Sequence, residues 1–146
     1  MTGASARNET THTDPPDMPA DERMSPAELK VVREFLGLSG EWLADHVKVS
    51  ARMVRHWEQG RHPIPDTVRL AVEDLEARTG AFISGIVDAL IDIPDPIVIT
   101  YRTDADYHRE HPEIDFPASW HRAVVARVAL EVPALQITYR EPTTEA

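Results

Sequence analysis

Cysteine is absent from this chain, which excludes disulfides and thiolate metal sites. Long apolar runs are missing as well, since none approaches the ~18–20 residues needed to cross a bilayer. The N-terminus lacks a basic stretch followed by an apolar one, so no secretory leader is expected and the chain is expected in the cytoplasm, away from membranes. No P-loop, dinucleotide fingerprint, nucleophile elbow or paired-carboxylate signature occurs, so neither catalysis nor a cofactor is expected. Internal repeats are lacking too. Positive charge is scarce: 15 Lys and Arg stand against 25 Asp and Glu, a net −10. That deficit argues against a nucleic-acid partner, because phosphate attraction supplies most of the non-specific affinity.

The distribution of charge matters more than its sum. Within residues 48–69, Lys48, Arg52, Arg55, Arg61 and Arg69 stand against Glu58 and Asp66, a net +3. Residues 70–146 hold six bases and fourteen acids, a net −8. One basic segment therefore lies in an acidic chain whose remainder repels polyanions. The length of 146 residues and hydrophobic share of 42% suit one domain, or a small domain with an appendage.

Residues 1–24 are rich in Thr, Pro, Asp and Glu with almost no apolar content, and a disordered tail is expected there. Ser25-Pro26-Ala27-Glu28 opens a helix with a capping-box pattern and proline at the first helical position. Leu29, Val32 and Leu36, with Val31 and Phe35 as further candidates, supply its apolar side, and Gly37 stops it. Ser39 caps a second helix, Gly40 to about Val47, with Trp42, Leu43 and Val47 turned inward. Ser50 caps a third, Ala51 to Gln59, ended by Gly60. After the extended His62-Pro63-Ile64-Pro65 connector a long helix runs over 65–92, with Val68, Val72, Leu75, Phe82, Ile86 and Leu90 at helical spacing. Strands are expected at 97–101 and 135–139, and helices at 103–110 and 119–130. The fold class is thus mainly α with a small α+β appendage. A helix-turn-helix bundle at 25–80 is followed by a two-strand, two-helix domain at 81–146. That appendage is too slight for a large core of its own and needs helix 65–92 or a second subunit to cover it.

The informative stretch is Leu38 to Gly60. Two short helices cross closely there, which requires a small residue at Ala44. Val49 plugs the turn, and Val54 and Trp57 anchor the following helix from inside. Ala51, Arg52, Arg55, His56 and Gln59 are left facing outward. This face is polar and positive, and its N-terminal end suits entry into a major groove. The same pattern fits a four-helix core with a solvated basic face, and spacing alone does not separate the two.

Leu43-Ala44, Val49-Ser50, Trp57-Glu58 and Gly60, followed by Pro63 and Pro65, resemble the phage-repressor-like helix-turn-helix family, the xenobiotic-response-element group. Ser50-Ala51-Arg52, Trp57-Glu58, Gly60, Ile64-Pro65-Asp66, Pro112 and Trp120 are more narrowly similar to the anti-CRISPR-associated repressors and to proteins with the same appended domain. The resemblance implies duplex DNA as partner, with Arg52, His56, Ala51 and Arg55 reading bases. It also implies backbone contacts from Ser39, Gln59 and Arg61, to which the neighbouring Lys48 is added. It pairs Arg33 with Glu58 as a structural ion pair. Gly40 departs from the family, where a DNA-touching glutamine is common, and this shifts weight onto Arg52 and His56.

In the resembling repressors the appended domain mediates dimerisation, and a homodimer on an inverted repeat is expected. Phe82, Ile86, Leu90, Ile97, Ile99, Trp120, Val124 and Val128 are the interface candidates; an ordinary intramolecular core is the competing reading of each. Tyr101 and Tyr139 end their strands and suit core, interface or ligand contact alike. His108, His111, His121 and Asp104 offer zinc-type ligands, but Pro112 ends the helix and the usual paired spacing is missing, so no metal is expected. The leading expectation is an autoregulatory repressor. The alternatives are an antitoxin whose acidic half neutralises a toxin, and additional RNA binding for translational control, although no arginine-rich tract or aromatic platform demands the latter.

Overall fold

The computed structural model describes residues 23–141, so the expected N-terminal tail lies almost wholly outside the described residues. The chain forms two compact units, the first ending at Ala77 and the second beginning at Arg78. It is mainly helical with one small sheet, as expected, and no described helix is long and apolar enough to cross a membrane.

The first unit is built from short capped helices. Helix α1 spans Pro26–Phe35, with the Glu28 amide donating to Ser25 Oγ at 3.0 Å and the Ser25 amide donating to Glu28 Oε1 at 2.7 Å. This reciprocal pair satisfies two of the amides that a helix start leaves open. Helix α2, Gly40–Val47, begins at Ser39, whose Oγ accepts from the Trp42 amide at 3.0 Å. Helix α3, Ala51–Glu58, begins at Ser50, whose Oγ accepts from the Met53 amide at 3.1 Å. Between α2 and α3 the chain reverses through Lys48, a non-glycine residue at φ 65°. Leu29, Leu43, Ala44, Val54 and Trp57 are buried together with Ile64, Val68, Val72 and Leu75. The small Ala44, expected at the close helix crossing, is 2% exposed.

Two expectations in α1 fail. Val31 and Phe35 are 63% and 58% exposed, because Leu29 and Leu36, one heptad apart, define the inner stripe and positions 31 and 35 fall outside it. In α2, Leu43 and Val47 are buried, whereas Trp42 is half-buried with its ring stacked on His46 at 5.0 Å.

Helix α4, Asp66–Leu90, starts just after Pro65 and its second half belongs to the second unit. There Thr79 and Ile83 are buried, neither of them on the apolar list read from spacing. The chain continues as β1 (Ile97–Thr100), α5 (Asp104–Glu110), α6 (Ala118–Glu131) and β2 (Gln136–Tyr139). The strands pair in parallel with Ile97 opposite Gln136 and Thr100 opposite Tyr139, and α5 and α6 form the crossover that parallel pairing requires. Trp120 is the centre of this unit. Its ring stacks on Phe116 at 4.0 Å and meets Phe82 at 5.0 Å, and its Nε1 donates to Thr79 Oγ1 at 2.9 Å. The appendage is thus covered by residues of α4.

Trp120, Val124 and Val128 are 1%, 0% and 0% exposed. These three belong to the intramolecular core, which removes them from the interface candidates, since a side chain already sealed within its own unit has no surface left to offer. Ile97 is 54% exposed, and Phe82, Ile86, Leu90 and Ile99 are half-buried. These five line one apolar groove of about 670 Å³, together with Ala81, Gly85, Ala89 and Val98.

Candidate nucleic-acid interface

The Ser50 cap fixes where α3 starts, and so fixes its phase. Val54 and Trp57 turn inward, while Arg52, Arg55 and Gln59 are exposed and Ala51 and His56 half-exposed. The five residues assigned to the outer face therefore do share it. Helix α3 ends in a tight turn: Gly60, at φ 78°, donates its amide to the Trp57 carbonyl at 3.1 Å, and the Arg61 amide donates to the His56 carbonyl at 2.9 Å. Glycine suits this left-handed position. The turn leaves Arg61 and His62 exposed beside the end of α3.

Two acids of this unit, Glu58 and Asp66, are held by arginines. Arg33 Nε donates to Glu58 Oε2 at 2.7 Å and Nη2 to Oε1 at 2.9 Å, while Nη1 reaches the Leu38 carbonyl at 2.9 Å. This is the fork-on-fork geometry of a strong charge-assisted pair, and the Glu58 hydrogen bonds hold the Arg33 guanidinium above its ordinary pKa. Arg69 grips Asp66 at 2.5 and 3.0 Å and Glu73 at 2.8 Å. The Arg69 hydrogen bonds pull the Asp66 carboxyl below its usual range. Arg69 is consequently spent on its own helix. Among the described residues Lys48, Arg52, Arg55 and Arg61 have no ion-pair partner.

His56 lies amid these cations. Its pKa is lowered by partial burial first, then by Arg52, His62, Arg61 and Arg55. The lowered pKa favours the neutral imidazole, which donates from one nitrogen and accepts at the other. The His62 ring sits 5.3 Å from it, tilted by 47°. Sequence reasoning treated His62 only as part of a connector; the signal it passed over was a second histidine just past the Gly60 turn. Ser39 is exposed, and its Oγ accepts in the cap while its O–H remains able to donate outward. At Gly40 an added Cβ would meet only Val54 Cγ1, at 3.9 Å. No packing demand excludes a side chain there, and a hollow of about 340 Å³ opens beside it, bordered by Lys30, Glu41, Ala51, Arg55 and Gln59.

The zinc-type residues are engaged otherwise. His108 Nε2 donates to the Phe116 carbonyl at 2.7 Å, Asp104 Oδ1 accepts from the Ala118 amide at 2.8 Å, and His121 Nδ1 shares a 2.7 Å hydrogen bond with Thr100 Oγ1. Among the described residues no three His, Cys, Asp or Glu side chains are placed to hold a metal ion. Tyr101 is core: it is buried and stacks on Tyr107 at 4.9 Å. Tyr139 is 39% exposed with the Arg102 guanidinium 4.4 Å over its ring.

Comparison with known proteins converges on one family. Residues 24–133 match the family described as Aca2/YdiL-like. A relative, the Aca2 repressor of Pectobacterium phage ZF40, is 30% identical over 116 residues, covering 79% of this chain and 94% of that protein.

Proposed function

Since the chain belongs to the Aca2/YdiL-like family, we propose that it is a transcriptional repressor that binds duplex DNA through α3. One observation carries the reading: Lys48, Arg52, Arg55 and Arg61, unpaired among the described residues, surround a helix whose own acid is clamped by Arg33. A cation that has no partner breaks no existing ion pair when it meets phosphate or base, so hydration is what the contact must replace. Arg52 and His56 are the base readers, Ala51 meets a thymine methyl, and Arg55 lies at the groove edge. Ser39, Lys48, Gln59 and Arg61 hold the backbone.

The operator is an inverted repeat bound by a homodimer, because two readers on one short helix specify few base pairs. The apolar groove along α4 and β1 is the surface a second copy covers, and repression of the chain's own promoter completes the reading. The antitoxin alternative has less support, since the C-terminal unit folds on its own Trp120 core rather than offering an extended segment. RNA binding has no Phe, Tyr or Trp on the outer face of α3 to favour it.

Selection of bound fragments from random duplex DNA tests the proposal. An inverted repeat among the winners is the expected result, and winners without any shared sequence would overturn it.

A further inference from the structure

Resting on the DNA-binding reading, we propose that His62 is a positioning residue for His56, setting the orientation in which that imidazole meets a base edge. The turn after α3 delivers it there. Gly60 reverses the chain at φ 78°, and the Arg61 amide is tied to the His56 carbonyl at 2.9 Å. Pro63 follows, which confines His62 to extended backbone, and Ile64, 2% exposed, anchors the far side. His62 is thus held at both ends while its ring lies 5.3 Å from that of His56.

The contact has a purpose because of what a neutral imidazole is. One ring nitrogen donates and the other accepts, so a flipped ring offers the wrong group to a base. The second side-chain torsion of histidine is broad and roughly two-fold, leaving both edges accessible unless something packs against the ring. On the outer face of α3 the neighbouring long side chains are the flexible Arg52 and Arg55. His62 is the rigid ring in contact with His56. It is exposed, so burial in the core does not account for its placement.

The test uses the full chain and the duplex selected above, with His62→Ala, His62→Phe, His56→Ala and Arg52→Ala. Each protein is titrated against the selected duplex, single-base-pair variants of it and random duplex. His62→Ala is expected to lose roughly 3- to 10-fold discrimination, part of what a missing base contact costs, at the same base pair that His56→Ala affects. Binding to random duplex should stay unchanged, and His62→Phe, which keeps a ring there, should restore discrimination. In DNA-free protein, His62→Ala should also move the His56 ring proton resonances. Wild-type discrimination by His62→Ala at every base pair overturns the proposal. So does an equal loss on selected and random duplex, which would make His62 a phosphate ligand. The underlying reading fails separately if Arg52→Ala, which leaves the histidine pair intact, binds all duplexes as wild type does.

Discussion

At the scale of single residues, Arg52 and Arg61 carry the same charge but should behave differently. Arg52 lies in the first turn of α3, where a guanidinium fork can span the O6 and N7 acceptors of guanine. Arg52→Ala should cost about 1–3 kcal/mol on the selected site and blur its sequence preference. Arg61 lies past the helix end, so Arg61→Ala should weaken all duplexes alike and reduce the salt slope by about 1. Titrations at several salt concentrations separate the two, and equal loss on specific and random DNA for Arg52→Ala would remove its base-reading role. His121 makes a different prediction, about stability. Burial, then His111 and Arg122, depress its pKa to about 4. In the unfolded chain the imidazole titrates near ~6.5. Between these values the unfolded state binds more protons, so stability falls as pH drops through that window. At pH 5 the loss relative to pH 7 should be about 2 kcal/mol from this group. His121→Gln should flatten that part of the profile in urea denaturation, and an unchanged acid slope would show that other groups govern it. Tyr107 Oη is buried without a hydrogen-bond partner among the described residues, and burial holds its pKa well above the usual value. Tyr107→Phe should therefore leave stability unchanged or raise it by up to about 1 kcal/mol, read from the same denaturation curves.

At the scale of elements, the turn between α2 and α3 sets a folding cost against the proposed DNA contact. Lys48 occupies a left-handed conformation that costs a side-chain-bearing residue roughly 1–2 kcal/mol. Glycine would relieve that cost and would also remove a cation from the surface proposed to face DNA. Lys48→Gly should raise the unfolding free energy by about 1 kcal/mol while weakening all duplexes and lowering the salt slope by about 1. Parallel denaturation and salt titrations check both signs; a variant more stable and equally tight would remove Lys48 from the backbone contacts. Much at this scale was legible in the sequence, because caps act locally. Ser25 with Glu28, Ser39 and Ser50 each stand where their helix begins, and Gly60 where α3 ends. The Arg33–Glu58 pair, 25 residues apart, was legible only through family resemblance, since no local rule joins them. What stayed hidden depends on long-range packing. Thr79 is polar, and nothing local shows that it accepts from a tryptophan 41 residues away. Val31 and Phe35 misled for the converse reason, being apolar side chains on the exposed side of α1. Trp120, Val124 and Val128 suit core and interface alike in residue type, and only the fold of their unit places them in the core.

At the scale of the whole molecule, the chain contains one basic segment and a strongly acidic C-terminal half, and the proposed assembly must bring together two such halves. Long-range charge opposes that association, so an apolar surface has to drive it. The groove lined by Phe82, Ile86, Leu90, Ile97 and Ile99 meets that requirement, and it offers a test that the buried candidates do not. Trp120→Ala would empty the centre of the unit, a change that typically costs 3–5 kcal/mol, and loss of DNA binding would then report only unfolding. Ile97 is 54% exposed, and a substitution at such a position usually alters stability within about 0.5 kcal/mol. Ile97→Asp places a charge in the groove of both copies and should convert dimer to monomer by light scattering, with the thermal transition preserved. Binding to the selected inverted repeat should fall by about 100-fold or more as two-point attachment is lost, while affinity for a single half-site stays that of the wild type. If Ile97→Asp remains a dimer with full affinity, the second copy docks elsewhere on this unit. If it becomes a monomer that still holds the full site tightly, α3 needs no partner and the inverted-repeat reading falls.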